Sequence, residues 1–179
     1  MRRLILAALL ALLLPPAAAL ALDCTPSATW TCASNGFFNT WSGQPGEVIC
    51  GVDYTGWTLK VVNVNVTTGG WVDFAATVAT GPGASVATAV ILMDNCAAGT
   101  CVASEQSTGV TQLDVCLEPG THTFVVAAHT TAPNAIGNMG LMCLTCAQAE
   151  TMGLTGCPAC GGTVSTQEES WGSLKARFK

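Results

Sequence analysis

The stretch WTLKVVNVNVTTGGWVDFAATVA, residues 57–79, decides the fold. It holds two runs that are rich in β-branched and aromatic residues, which favour strands. Thr68-Gly69-Gly70 separates the two runs, and glycines at such a position favour a turn. The stretch therefore predicts two short strands, Trp57–Val66 and Trp71–Ala79.

Three further runs of the same kind follow along the chain: Val86–Met93, Val110–Leu117 and His122–Ala128. Turn residues separate them: Gly81-Pro82-Gly83, Asp94-Asn95 and Glu118-Pro119-Gly120. Helix signals are scarce, because no long stretch beyond the N-terminal leader repeats apolar residues at three and four spacing. The pattern predicts an all-β fold: an antiparallel, jelly-roll-like β-sandwich with a core built from alternating strand faces.

Three segments carry a family resemblance. They are VATAVILMDNCAAGTC at Val86–Cys101, VCLEPGTHTFVVA at Val115–Ala127 and GNMGLMCL at Gly137–Leu144. In this order they resemble the strand with a short Cys loop, the hairpin and the final strand of the bacterial pre-peptidase C-terminal domain family. Thr123-Phe124 stands in place of the usual aromatic pair, and Met142 in place of the usual Tyr. The resemblance implies a secreted β-sandwich that is chiefly non-catalytic and serves in adhesion, spacing or targeting.

The chain begins with the pattern of a secretory signal peptide, predicted for residues 1–21. A short basic region precedes the apolar run Leu4–Leu14, and small residues surround a cleavage point at Ala19-Leu20-Ala21. An apolar run of this length rises only about 16 Å as a helix, so no transmembrane anchor is expected. We expect a secreted or cell-surface protein, with the periplasm as a further possibility. Residues 23–147 are predicted to form the sandwich and residues 148–169 a Cys-containing extension and linker.

The exported chain is strongly acidic. Two of the six basic residues lie in the leader, which leaves four against eleven acidic residues and a formal charge near −7. Between Asp23 and Thr166, Lys60 is the only basic residue beside nine Asp and Glu. Such a surface repels phosphate backbones and anionic lipid, so nucleic-acid binding is excluded and divalent cations are the favoured ions.

Ten cysteines in an exported chain predict up to five disulfides that stabilise the sandwich. Cys96 and Cys101 flank four small residues and are predicted to close a short loop. Cys24 with Cys32 is predicted for a similar reason.

The last four cysteines allow a second chemistry. Cys143 and Cys146 form one C-x-x-C pair, and Cys157 and Cys160 form another, ten residues further on. Two such pairs can present four thiolates to one Zn²⁺. An oxidising compartment favours disulfides for the same cysteines, and disulfides are the preferred interpretation.

No catalytic constellation is evident in the sequence. His122 and His129 are the only two histidines, and at this spacing on one extended strand they point to opposite faces. The serines lack the G-x-S-x-G pattern, and neither H-E-x-x-H nor a phosphate-binding glycine loop occurs. The chain is therefore predicted not to be an enzyme, and a hydrolase with a hidden site is the weakest hypothesis.

Oxygen donors at predicted strand ends make Ca²⁺ the favoured optional cofactor. Asp53 lies near the start of the sandwich, and Asp94-Asn95 forms a turn. Glu105 and Glu118 lie beside other loops. Ca²⁺ takes roughly six to eight oxygens, many of which can come from backbone and water. The preferred interpretation of these acids is nevertheless that they keep an otherwise apolar protein in solution.

Residues 170–179, SWGSLKARFK, form a basic tail. Trp171, Leu174 and Phe178 have the spacing of one helical face. The segment resembles the W-G-x-[IVL]-K-x-x-[FY]-[RK] endings of some exported bacterial proteins, which connects it with sorting machinery or the cell surface. Its positive charge also allows docking on the acidic body, in cis or on a neighbour.

The leading hypothesis is a non-catalytic secreted or cell-surface module that binds, spaces or adheres, with an extracellular protein or glycan as its partner. A small secreted zinc-binding protein is the alternative. Four tryptophans offer faces for stacking on sugars, but they are predicted to pack in the core or at its edge: Trp30, Trp41, Trp57 and Trp71.

Overall fold

Twelve strands account for nearly all regular structure in the computed structural model, which describes residues 22–32 and 34–160. The strands are β1 (Ala28–Thr31), β2 (Asn35–Phe38), β3 (Gln44–Pro45), β4 (Val48–Ile49), β5 (Val52–Asp53), β6 (Thr58–Val66), β7 (Gly70–Ala79), β8 (Ala87–Asn95), β9 (Thr100–Thr108), β10 (Thr111–Leu117), β11 (Gly120–Ala128) and β12 (Ile136–Leu144). A short helix, α1 (Cys146–Thr151), and a 3-10 turn (Pro158–Cys160) follow. The five strands predicted from residue type are confirmed to within two residues at each end.

Two sheets pack face to face. Sheet A has the strand order β1-β6-β11-β8-β9, with β3 also beside β6, and sheet B has the order β10-β7-β12-β2. β4 and β5 form a separate hairpin. The pairs are antiparallel except that β1 runs parallel to β6. The predicted all-β antiparallel sandwich is confirmed, with β1 as a parallel addition at one edge of sheet A.

The core between the sheets follows from alternation along the strands of sheet B. In β7 every second residue from Val72 to Val78 is buried, and the residues between them are half-buried. Phe74 stacks on Phe124 of β11, with ring centroids 4.7 Å apart, and on Trp30 of β1 at 5.8 Å. The aromatic stack therefore joins the two sheets at their centre.

Sheet A is buried on both faces, which explains its long apolar runs. In β8, Val90 and Leu92 face sheet B, whereas Ala89, Ile91 and Met93 belong to a second core on the outer face. The N-terminal segment and the residues around β4 and β5 cover this outer face with Leu22, Ile49 and Tyr54. The expected alternation of buried and exposed residues therefore holds for sheet B but not for the central strands of sheet A.

Two disulfides attach these covering segments to the β8–β9 turn of sheet A. They show that both disulfides predicted from the sequence are wrong. Cys24 bonds to Cys96 and Cys50 to Cys101, with Cα atoms 5.9 and 5.7 Å apart. The expected Cys96–Cys101 and Cys24–Cys32 bonds do not form. Cys96 and Cys101 flank the β8–β9 turn, and both pack against the second core, where the covering segment supplies a partner for each.

β9 shows why the weaker strands were not predicted. Its sequence, TCVASEQST, is polar and mostly exposed, because it forms the edge of sheet A. Main-chain pairing with β8 holds it in place. β1 and β2, which are four residues each, are likewise too short to show a period.

The chain after β12 is anchored to sheet B. Thr145 caps α1: its hydroxyl accepts the Gln148 N–H, and the Gln148 side chain accepts the Thr145 N–H at 2.9 Å.

Within residues 22–32 and 34–160, no helix is both long and apolar enough to cross a bilayer. The predicted signal peptide, the linker from residue 161 and the basic tail lie outside the described residues.

Candidate ligand-binding site

A cavity of about 380 Å³ opens at one end of the sandwich, where β8, β9 and β10 end or begin beside the start of β11. We call it the end cavity. Its polar lining consists of Asp94, Glu118, Thr121, His122 and Thr123, and its walls are apolar side chains of β8, β9 and β10. Small-molecule sites in proteins usually occupy about 300–1,000 Å³. The end cavity is therefore large enough for one sugar-sized ligand.

Four of the five polar residues of the end cavity lie in or directly after the predicted Glu118-Pro119-Gly120 turn, which connects β10 to β11. The fifth, Asp94, lies near the end of β8. His122 Nε2 lies 2.8 Å from the carbonyl oxygen of Glu118. Because a carbonyl only accepts, Nε2 carries the proton in this bond, and Nδ1 of the neutral ring is an acceptor.

Two threonines complete the polar lining. Thr121 donates its hydroxyl proton to Asn65 Oδ1 at 2.8 Å, and Thr123 donates to Asn63 Oδ1 at 3.1 Å. Both hydroxyl oxygens keep lone pairs for a ligand. The end cavity therefore has two carboxylates, an imidazole and two hydroxyls that already donate their protons, so it is rich in hydrogen-bond acceptors.

The predicted calcium ligands are divided between different roles. Asp94 lines the end cavity, where its Oδ2 accepts a hydrogen bond from the Thr100 hydroxyl at 3.3 Å. Asn95 Oδ1 instead accepts the Ala98 N–H at 3.0 Å and closes the β8–β9 turn. No group of three His, Cys, Asp or Glu side chains in the described residues is arranged to hold a metal ion.

Asp53 lies apart from the end cavity, at the end of β5. Its carboxylate accepts the N–H of Thr55 at 2.8 Å, and the hydrogen bonds to Thr55 lower the pKa of Asp53. Of the acids named from the sequence, the structure brings Asp94 and Glu118 to one site and leaves Asp53 apart from them, at the end of β5.

The four cysteines of the predicted zinc site take part in three different disulfides. Cys143 bonds to Cys32, Cys157 to Cys116, and Cys146 to Cys160. All ten cysteines lie within the described residues, and none is free. The arrangement does not present four thiolates to one ion, and it agrees with the preference for disulfides.

His129 and the tryptophans have structural surroundings. His129 directly follows β11 and stacks on Trp57, with ring centroids 5.2 Å apart. Unlike His122, it does not line the end cavity. Trp30 and Trp41 are buried in the core between the sheets, as predicted. Trp57 and Trp71 are half-buried.

A second surface is the outer face of sheet B, formed by the residues of β2, β7, β10 and β12 that point away from the core. Asp73 of β7 lies directly opposite Asp114 of β10. Burial, and then the charge of Asp114, raise the pKa of Asp73. Gln112 donates to Asp73 Oδ2 at 3.1 Å, whereas the buried Oδ1 has no hydrogen-bond partner within the described part of the chain.

Sequence reasoning missed this acidic pair. The alternation in WVDFAATVA places Asp73 on the solvent side of β7, and TQLDVCL does the same for Asp114 on β10. The pairing register between the two strands sets the carboxylates side by side, and no sequence signal reports that register.

Comparisons with known proteins concern the fold. No family model and no curated protein sequence matches the chain. Among solved structures, it is similar to the pre-peptidase C-terminal domain of a collagenase from Bacillus anthracis. That match has a TM-score of 0.42 and 12% identity, and covers 66% of this chain and 98% of that domain. The three segments quoted in the sequence analysis resemble the same domain family.

Two further similarities are of the same kind. A family 35 carbohydrate-binding module from Clostridium thermocellum matches with a TM-score of 0.37 and 12% identity, covering 62% of this chain and 92% of that one. The β-glucosidase DesR from Streptomyces venezuelae matches with a TM-score of 0.35 and 12% identity over 64% of this chain. Only 12% of the DesR chain is covered, so the likeness concerns one part of that enzyme.

Proposed function

We propose that this protein is a non-catalytic extracellular module that binds a sugar residue of a glycan in the end cavity. The observation that carries the proposal is the acceptor-rich lining of that cavity. Sugar hydroxyls are hydrogen-bond donors, and the carboxylates of Asp94 and Glu118 together with Nδ1 of His122 offer several acceptors to them. The apolar wall of the cavity supplies contact for the less polar faces of a sugar ring.

An extracellular role is supported by the covalent framework. Five disulfides join cysteines that lie 14 to 111 positions apart in the sequence, and such bonds persist in oxidising compartments. The non-catalytic assignment is supported by the sequence, in which neither G-x-S-x-G, H-E-x-x-H nor a phosphate-binding glycine loop occurs.

A soluble glycan panel tests this proposal, with titration calorimetry of each ligand that binds. The variants Asp94→Asn and His122→Ala are expected to weaken binding about tenfold or more. The first replaces a charged acceptor oxygen by an amide donor, and the second removes the Nδ1 acceptor. Glu105→Gln, on the exposed edge strand β9, is the matched control and should bind as the parent does. Binding that is unchanged in both cavity variants, or release of free sugar from the glycan, would contradict the proposal.

Calcium dependence is proposed through the same two carboxylates. Asp94 and Glu118 line one cavity, and a divalent cation would take their oxygens together with water. We expect 1 mM CaCl₂, against EDTA, to raise the melting temperature of the parent and not that of an Asp94→Asn/Glu118→Gln variant. An equal response of the two proteins would assign any calcium effect to another part of the chain.

The basic tail at residues 170–179 has a separate proposed role. Its resemblance to the endings of other exported proteins supports contact with sorting machinery or the cell surface. Deleting these residues and following the protein between the medium and the cell surface tests this role, which an unchanged distribution would contradict.

A further inference from the structure

We propose that the outer face of sheet B is the docking surface for the chain's own basic segment, residues 170–179. This inference goes beyond the proposed function, because the end cavity and this face are different sites. The occupant is identified from the shape and charge of the face, and from the place where the described chain ends.

The face combines exposed apolar side chains with a row of small residues that runs across the sheet. Phe37 of β2 is 63% exposed, Met142 of β12 is 48% exposed and Ile136 is 38% exposed. Ala75 pairs with Gly140, and no atom lies within 4 Å of where a Cβ at Gly140 would be. This row of small residues runs between Met142 on one side and Phe37 on the other.

The acidic residues of this face favour the binding of a positively charged group. Asp73 and Asp114 are directly opposite across two strands, and like charges in this position destabilise a sheet. Met142 pairs with Asp73 on the other side, so the acidic pair lies beside an exposed apolar side chain. A segment with basic and apolar side chains would therefore find both kinds of partner in one row.

The body of the protein offers no cation of its own for this pair. Lys60 is the only basic residue from Leu22 to Cys160, and it is 8% exposed. Its Nζ lies over the rings of Phe38 and Trp41, at 4.9 and 5.3 Å from their centroids. The remaining basic residues of the exported chain are Lys175, Arg177 and Lys179, all in the C-terminal segment.

The described chain ends beside this face. Cys160 and Trp71 line the same cleft, and the Cys146–Cys160 disulfide holds Cys160 there. Asp73 is two residues further along β7, about 7 Å from Trp71. Nine residues, 161–169, precede the basic segment and span up to about 30 Å when extended. Tethers of this length give effective concentrations of about a millimolar, so weak docking is sufficient for high occupancy.

The segment matches the face in its apolar residues as well. Trp171, Leu174 and Phe178 are spaced to share one side of a helix. Met142 is well suited to pack against an aromatic ring of that side, because its sulfur makes favourable contacts with ring edges.

Trypsin cleavage tests the proposal directly, using the exported chain from Leu22 to Lys179 with its disulfides intact. Lys60 is buried in a strand, so we expect trypsin to cleave after Lys175 and Arg177. We expect cleavage to be about three to ten times faster in an Asp73→Asn/Asp114→Asn variant than in the parent, because two surface charge pairs are lost. Phe37→Ser should also increase the rate, and 0.5 M NaCl should increase it in the parent.

The matched control is Glu47→Gln/Glu105→Gln, which removes two charges from residues that do not belong to sheet B and should keep the protection of the parent. Equal cleavage rates in the parent and in the Asp73→Asn/Asp114→Asn variant would overturn the proposal. Protection that increases with protein concentration would overturn it as well, because it would assign the docking to a second copy.

Discussion

Asp73 carries an electrostatic penalty in the folded protein. Its raised pKa means that the ionised carboxylate is less stable in the fold than in the unfolded chain. The penalty is full at pH values above the folded pKa, decreases as the pH falls through that pKa, and disappears below the ordinary value of 3.8, where the group is protonated in both states. Asp73 therefore lowers the stability of the protein at neutral pH.

We predict that Asp73→Asn raises the melting temperature at pH 7 by about 1–3 °C and leaves it nearly unchanged at pH 3. The effect is small because the carboxylate is partly solvated. Differential scanning calorimetry in 0.5 M NaCl checks this prediction, since the salt keeps the basic segment from neutralising the pair. A similar increase at both pH values would contradict the electrostatic origin.

The single residues of the end cavity were only partly predictable. Glu118 and His122 were each identified from the sequence, one as a calcium ligand and the other as an isolated histidine. Thr121 and Thr123 carried no signal, because a threonine in a strand is ordinary. Their common location depends on how the β10–β11 turn lies against the end of β8, and that is a tertiary contact.

The strand β12 offers a test of packing between the sheets. A Cβ at Gly137 would collide with the ring of Trp41, which is buried. We predict that Gly137→Ala lowers the free energy of unfolding by about 1–3 kcal/mol, because extra volume in a packed core forces its neighbours to move. Urea denaturation followed by tryptophan fluorescence measures the change.

Gly140→Ala, three residues further along the same strand, is the matched control. Its side chain would enter open space on the outer face of sheet B, so its stability should lie within about 0.5 kcal/mol of the parent. Equal destabilisation by both substitutions would show that the loss comes from the strand's backbone and not from contact with Trp41.

The strands themselves were predictable wherever side chains decide them. β6, β7, β8, β10 and β11 have β-branched and aromatic residues between turn residues, and their bounds were predicted closely. β9 and β2 are strands because a neighbour's main chain pairs with them, and this information is not local to their sequences.

The whole molecule is held by the disulfide framework, which connects the covering segment, the two sheets and the C-terminal extension. We predict that the purified protein has no free thiols and that its mass is about 10 Da below that of the reduced chain, two hydrogens for each of five bonds. Non-reducing peptide mapping should recover Cys24–Cys96 and Cys50–Cys101. A peptide pair that joins Cys96 to Cys101 would contradict the structure.

Two of the five disulfides should differ in how much they stabilise the folded protein. The Cys24–Cys96 bond has a sequence separation of 72 residues and the Cys146–Cys160 bond one of 14. In the chain-entropy account, replacing the first pair by serines destabilises the protein by about 1.5 kcal/mol more than replacing the second. Thermal unfolding of the two double variants makes the comparison, and the reverse order would count against this account.

The sequence by itself determined the fold class, the acidic charge, the content of disulfides and five of the strands. These properties depend on residue type and on local spacing, which a linear chain displays directly. The tertiary structure decided the cysteine partners, the second core, the end cavity and the pairing of Asp73 with Asp114. Each of these depends on strand register and on which segment covers which face, so it joins residues that lie far apart along the chain.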